Sequence, residues 1–390
     1  MPKEKLSLNT KIATFYLVLM CVHMHFFEGH TISPIKVVAM SVAPLILLAR
    51  CAYFSKAVLF GVLYWLSCFL SAYHHPGFRF STMAYSGMFV MTFIMFYNLV
   101  HKGAFTLEYF IKLVRWMILA YAGCLVLQQC SILVGIRFMP LINLDNQFYL
   151  SIYKLPSLSH EPSSTARIMG ALFYAYFKCN QYYLGSVIPF KQWFKGEHRW
   201  VTIGFLWSML TMGSGTAYIV LALLSLLFLR RKYIAVAIPL FAAIFLVMPY
   251  MENENLNRAT SVAQATMTGD VDNVIEADGS ASARIIPILN TFNNLDLTQG
   301  ETWFGKGADY GYTNKHKRMV GCIDDYGFIA YVFMLILVFS SSMKLFSLPT
   351  LIFIFLQGAG IGNIAYSWAM MMAFTATMYF GNKKKYVQRF

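Results

Sequence analysis

The chain has 390 residues, of which 58% are hydrophobic and only 12% charged, with 34 Phe, 24 Tyr and 23 Met. Soluble domains carry about 25% charged residues and single cores stop growing near ~250–300 residues, so one water-soluble globule is excluded and an all-α polytopic membrane protein is expected. The net charge of +14 does not point to nucleic acid, because the cations stand in short tufts between apolar runs, such as Arg230-Arg231-Lys232 and Lys383-Lys384-Lys385, and not on one soluble face.

A spanning helix needs about 20 apolar residues, and about 17 suffice. The chain opens Met1-Pro2-Lys3-Glu4-Lys5, and its first apolar run lacks a small-residue cleavage site. That run therefore reads as a retained span and not as a signal peptide. In chain order the apolar runs are 12–27, 34–49, 56–72, 80–100, 109–134, 166–183, 200–212, 216–229, 233–250, 326–344, 348–361 and 364–380. They predict about twelve transmembrane helices in a single integral domain covering 1–390. Three runs are short: the pair meeting at Gly213-Ser214-Gly215 and the one ending at Gly358-Ala359-Gly360. Short Gly-interrupted spans can meet beneath a cavity.

With the N-terminus inside, every strong basic tuft lands on one side: Arg50 and Lys56, Lys102, Lys191 with Lys195 and Arg199, Arg230 to Lys232, Lys344 and the C-terminal lysines. This is the positive-inside pattern, and it places both termini in the cytoplasm. Two long segments, 137–164 and 251–325, fall on the opposite side, and the larger holds most of the acidic residues. Connections are usually about 4–6 residues, so external loops of this size carry function or are mobile. Seven cysteines form no C-x-x-C pair, and all but Cys322 lie in or beside apolar runs. No disulfide framework and no zinc site is expected. Asp324 and Asp325 are adjacent and would point about 100° apart on a helix, so they do not form a ready metal site.

The first external loop ends in Ser159-His160-Glu161-Pro162-Ser163-Ser164-Thr165-Ala166-Arg167. Pro162 followed by small hydroxyl residues predicts a helix start, which puts His160, Glu161 and Arg167 at the membrane's outer edge. A carboxylate and a guanidinium at that depth are costly unless paired or functional. Either Glu161 pairs with Arg167 and caps the helix, or the two face a polar substrate. The second loop offers Ser280-Ala281-Ser282-Ala283-Arg284, then Phe304-Gly305-Lys306-Gly307, then His316-Lys317-Arg318 and Asp324-Asp325-Tyr326-Gly327. Arg284 opens a predicted amphipathic helix with Ile285, Ile288, Leu289 and Phe292 on one face, and is either a solvated arginine or a ligand contact. Gly305-Lys306-Gly307 is a tight turn, too short for a P-loop. His316 stands among cations, eleven positions before Gly327.

These motifs resemble the bacterial O-antigen polymerase and ligase superfamily (Wzy-like and WaaL-like proteins). His316-Lys317, nine residues, then Gly327-Phe328-Ile329-Ala330 is similar to its H-[NSQ]-x9-G-x-x-G pattern. The segment 284–307 is similar to its arginine-led helix followed by an F-G-x-G turn. Glu161-Pro162-Ser163 resembles the E-P-S step before a span in many polymerases, and Thr211-Met212-Gly213-Ser214-Gly215-Thr216 resembles the T-x-S-R-G turn. The likeness covers roughly 157–331. Lys317 stands where the family has Asn, Ser or Gln, Ala330 replaces the last glycine of the pattern, and Gly215 replaces the arginine of the turn.

The resemblance implies glycosyl transfer from an undecaprenyl-diphosphate-linked glycan at the outer face of the bacterial cytoplasmic (inner) membrane, with no metal or cofactor. It implies a chain-length regulator and a flippase as partners, and polymerisation of O-antigen, capsule or exopolysaccharide as the outcome. The roles that the resemblance implies agree with bare chemistry. Arg167 and Arg284 suit the diphosphate, because a guanidinium fork pairs with phosphate bidentately and stays charged, and Lys306 would add a point charge beside them. A histidine with pKa near ~6.5 suits the base that takes the acceptor proton, which favours His316, with Glu161 and Asp324 in reserve. The rivals are an O-antigen ligase that transfers finished glycan to lipid A core, and a flippase for the same lipid-linked sugars. Transporters often show repeated halves and midplane charges, and neither is evident here.

Overall fold

The computed structural model describes residues 6–23, 33–73, 80–136, 138–139, 142–144, 154–227, 261, 296–306, 322–351 and 365–387. Their α-helices are α1 (Leu8–Cys21), α2 (Pro34–Arg50), α3 (Lys56–Tyr73), α4 (Phe80–His101), α5 (Leu107–Leu133), α6 (Pro162–Leu184), α7 (His198–Thr211), α8 (Gly215–Ser225), α9 (Gly300–Phe304), α10 (Cys322–Ser341) and α11 (Ala365–Val387). A 3-10 turn, Phe190–Phe194, precedes α7. Among the described residues extended pairing is limited to one isolated antiparallel bridge between Met139 and Leu144. The class is all-helical. Two of these helices, α4 and α5, are long and apolar enough to cross a membrane. The run at 233–250, most of the run at 348–361 and most of the long segment 251–325 lie outside the described residues.

The helix ends follow from local chemistry. Ser7 caps α1, its hydroxyl accepting from the Thr10 N–H at 3.1 Å, and Thr106 caps α5 in the same way through Tyr109 at 3.2 Å. Pro162 takes the first position of α6, where its missing N–H costs nothing, and Gly185 ends that helix in the left-handed conformation. The start at Pro162 agrees with the helix start expected from the sequence.

Polar contacts sort the helix termini into two ends. At one end the Thr10 hydroxyl donates to the Ala104 carbonyl at 2.6 Å, Lys102 donates to the Arg50 carbonyl at 3.0 Å, and Ser55 donates to Asn98 at 2.8 Å. Tyr183 donates to Glu108 at 2.8 Å, and Arg115 pairs with Glu197 at 2.6 Å. The tufts Arg50, Lys56, Lys102, Lys191, Lys195 and Arg199 gather here, which makes it the basic end. At the other end the Tyr121 hydroxyl donates to the Cys21 carbonyl, His23 donates its N–H to Leu158 at 2.7 Å, Leu155 to Met212 at 3.4 Å, and Ser71 to the Asp325 carbonyl at 3.3 Å.

Three of the described helices, α4, α6 and α11, form the interior, and α11 is buried at every residue from Ser367 to Thr377. Every side chain of α6 from Pro162 to Phe177 is buried, as are nearly all those of α4 from Phe89 to Val100. Aromatic rings fill the seams: Phe173 stacks on Phe205 at 4.1 Å, Phe177 on Trp193 at 4.7 Å, and Trp368 of α11 lies against Phe89 and Phe93. The outer helices turn large apolar side chains outward, with Leu45 66%, Val38 65% and Trp116 68% exposed. The bundle is therefore apolar on its flank as well as inside.

Close approach of α6 and α8 depends on Gly170, because a Cβ there would fall 2.6 Å from a methyl of Val220. Gly170→Ala is expected to lower the thermal unfolding midpoint of the purified protein, through the roughly 1–3 kcal/mol that overpacking costs. Gly123→Ala in α5 has open space around the new methyl and should leave the midpoint unchanged or slightly raised. Equal shifts in both variants would contradict this packing.

Candidate functional site

The chain enters α6 through an irregular stretch in which Leu155, Pro156, Ser157 and Ser159 are buried. Buried backbone groups outside regular structure need partners, and here side chains supply them. Gln128 of α5 pairs with Ser157 at both its groups: its Oε1 accepts from the Ser157 N–H at 2.9 Å and its Nε2 donates to the Ser157 carbonyl at 3.2 Å. Asn143 donates to the carbonyls of Ser157 at 3.1 Å and Ser159 at 3.3 Å, and also to that of His23. The Ser157 hydroxyl donates to the Tyr121 carbonyl at 2.7 Å, and the Thr165 hydroxyl donates to that of Pro156. Ser157 holds φ +51°, a conformation uncommon for a residue with a side chain and sustained here by its surroundings.

Glu161 and Arg167 come together at the start of α6. Glu161 occupies the N-cap position, but its carboxylate makes no capping bond to the backbone. It accepts instead from the hydroxyls of Ser163 at 2.5 Å and Ser164 at 3.5 Å. Ser163 in turn accepts from Nη1 of Arg167 at 3.1 Å, so one hydroxyl bridges the carboxylate to the guanidinium. Arg167 is 3% exposed, and its guanidinium sits 4.7 Å from the ring centre of Tyr366 at the start of α11. Cation–π contact is stronger when desolvated. His160 is exposed beside this group and its ring meets that of His23 edge-on at 5.3 Å.

A second cluster lies where α9 docks on α10 at the same end of the bundle. Gly305 and Gly327 have φ of +79° and +86°. A Cβ on Gly305 would strike backbone atoms of Asp325, Tyr326 and Gly327, and one on Gly327 would strike the Trp303 carbonyl. Only glycine fits such backbone-to-backbone approach at positive φ. Trp303 and Phe328 close the contact with perpendicular rings 5.6 Å apart. Upstream, the Asp296 carboxylate accepts from the Thr298 N–H at 2.9 Å and hydroxyl at 2.6 Å. Those bonds, the hydroxyl first, hold its carboxyl below the ordinary range. Lys306 pairs with Glu301 at 3.3 Å.

The other candidates stand as follows. Arg284, His316 and the Asp324 side chain lie outside the described residues. Sequence reasoning missed Gln128, Asn143, Tyr121 and Ser157. Gln128 left a signal, since it interrupts the apolar run 109–134 with an amide and faces inward. Asn143 left none, because a polar residue in an external loop needs no explanation. No family model matches the chain, and neither a curated protein nor a solved structure matches it.

Two variants probe the site's construction. Gln128→Leu strands a buried N–H of Ser157 and should destabilise the purified protein by about 1–3 kcal/mol, read as a lower unfolding midpoint. Gly327→Ala should be at least as damaging, because strain at positive φ of order 1–3 kcal/mol adds to a backbone clash. A Gly327→Ala protein with an unchanged midpoint would rule out the α9–α10 contact.

Proposed function

We propose that this chain is a multispan bacterial inner-membrane enzyme that transfers glycan from an undecaprenyl-diphosphate carrier to an acceptor hydroxyl, extending a surface polysaccharide. The observation that carries the reading is the buried Arg167, held on Tyr366 and bridged through Ser163 to Glu161 at one end of an apolar bundle. A guanidinium retained at such a position is a functional-site hypothesis by default. Three further observations support it. Soluble proteins rarely expose so much apolar flank as Leu45, Val38 and Trp116 begin to describe. The basic tufts among the described residues share one end and the polar network occupies the other, as a positive-inside topology requires. The two glycine steps on which the family resemblance rests, Gly305 and Gly327, touch each other.

In this reading the glycosidic bond to the diphosphate breaks, and the diphosphate leaves with the electron pair. Arg167 and Arg284 stabilise the charge that develops on it, in a site drier than bulk water. Lys306 joins them by exchanging Glu301 for phosphate. The acceptor oxygen forms the new bond to the sugar, and His316 takes its proton as general base. Glu161, which already accepts two hydroxyl hydrogen bonds, and Asp324 are the alternative bases. The flippase that delivers the substrate and a chain-length regulator are the expected partners.

The test is extension of lipid-linked repeats by purified protein in detergent, where no bilayer has to be crossed. Wild type should lengthen the glycan. Arg167→Lys and Arg284→Lys keep the charge but lose the fork, and each should cost about tenfold or more in rate. His316→Ala should abolish extension while the protein still elutes as a monodisperse peak. Unchanged product length in all three would defeat the proposal. Transfer of finished chains to lipid A core, without extension, would assign a ligase instead.

A further inference from the structure

The start of α2 lies at the polar end and is positively charged twice over. Pro34 takes the first helical position, so the backbone N–H groups of Ile35 and Lys36 have no acceptor within the helix. The Ser33 hydroxyl makes no capping bond although the residue is buried, and the first turn holds no acidic side chain. Helix starts already attract anions through these N–H groups and the helix dipole. Lys36 adds an ammonium there. It is 3% exposed, and no hydrogen bond or ion pair to its amine occurs among the described residues.

A buried cation without an anion is costly, and one set at a positive helix end more so. Its position says what would offset that cost. Lys36 is within electrostatic reach of Cys21, whose carbonyl accepts from Tyr121, and the Tyr121 hydroxyl lies 3.2 Å from that of Ser159. Ser159 belongs to the stretch that leads into Glu161 and Arg167. The α2 start thus lies at the same end as the polar network, near the end of α1, and is held against α1 by the Tyr16 hydroxyl, which donates to the Ala39 carbonyl at 2.6 Å.

We propose that Lys36 and the uncapped start of α2 form a further anion-binding point that takes a phosphate group, a contact that rests on reading this end as the substrate end. The phosphate belongs to a lipid headgroup or to free diphosphate, since both present the same oxygens to an ammonium and two N–H groups.

Binding of farnesyl diphosphate and of inorganic pyrophosphate to the full chain in neutral detergent separates the possibilities. Lys36→Met should weaken farnesyl diphosphate by about tenfold or more, while Lys36→Arg stays within about threefold. Parallel loss with inorganic pyrophosphate supports the site with free diphosphate as ligand, and loss confined to the farnesyl probe supports it with a lipid headgroup. Lys36→Met should unfold no earlier than wild type without ligand, because an apolar chain replaces a buried charge. Should that variant fail to purify, Lys36→Gln carries the same expectation. Wild-type affinity for both probes in Lys36→Met or Lys36→Gln overturns the proposal. Arg167→Gln separates its failure from that of the function. Weakened binding in Arg167→Gln beside intact binding in Lys36→Met removes only the Lys36 contact, whereas intact binding in both removes the substrate end itself.

Discussion

A guanidinium buried in an apolar bundle governs the architecture around it. Arg167 is almost fully enclosed, and an isolated charge in such a place is penalised by several kcal/mol even after relaxation. The Ser163 hydroxyl, the Tyr366 ring and, through Ser163, the Glu161 carboxylate surround it. Those neighbours require α6 to begin at Pro162 and α11 to begin beside it. The 154–161 stretch must then approach the helix inside the protein, where each of its backbone groups needs a partner. Gln128, Asn143 and Tyr121 meet that need. A rigid polar network is the physical consequence, and a rigid network is what places a cation reproducibly against a ligand.

The division of the bundle into two ends extends the same logic. The exposed lysines and arginines among the described residues collect at the basic end, near helix termini, where Lys102 donates to the Arg50 carbonyl. Buried cations, Arg167 and Lys36, occur at the other end, each within the first two turns of its helix. Between the ends, α4 and α6 carry aromatic rings in close contact, and small residues such as Gly170 set the helix spacing. The proposed chemistry needs this asymmetry, with one face to hold a charged headgroup and an apolar flank to meet lipid tails.

Much of the fold was legible because hydrophobic runs and helix-start chemistry are local. Pro162 marked the beginning of α6, and the apolar runs at 34–49, 80–100, 109–134 and 364–380 each overlie a helix. The pairing of Glu161 with Arg167 was legible only in part, since the spacing brings them together but does not reveal that Ser163 stands between them. What depends on distant segments was not legible. Asn143 meets Ser157 and Ser159 across a loop, and Gly305 meets Gly327 because two backbones approach. Lys36 drew no attention inside the apolar run 34–49, because nothing local in the sequence reveals its burial near Cys21 of α1. Lys306 was expected to face phosphate, and an observed partner, Glu301, sits five residues earlier on a helix too short to predict from periodicity.

The central claim is that the polar end of this bundle holds a lipid diphosphate. Photocrosslinking with a diazirine-bearing polyprenyl diphosphate, followed by peptide mapping, tests it directly, with the reactive group placed next to the phosphates. The account predicts labelling concentrated on residues 154–167 and around Tyr366, suppressed by excess unlabelled diphosphate lipid. Labelling spread over the apolar flanks of α2 and α5, and insensitive to that competitor, would contradict it.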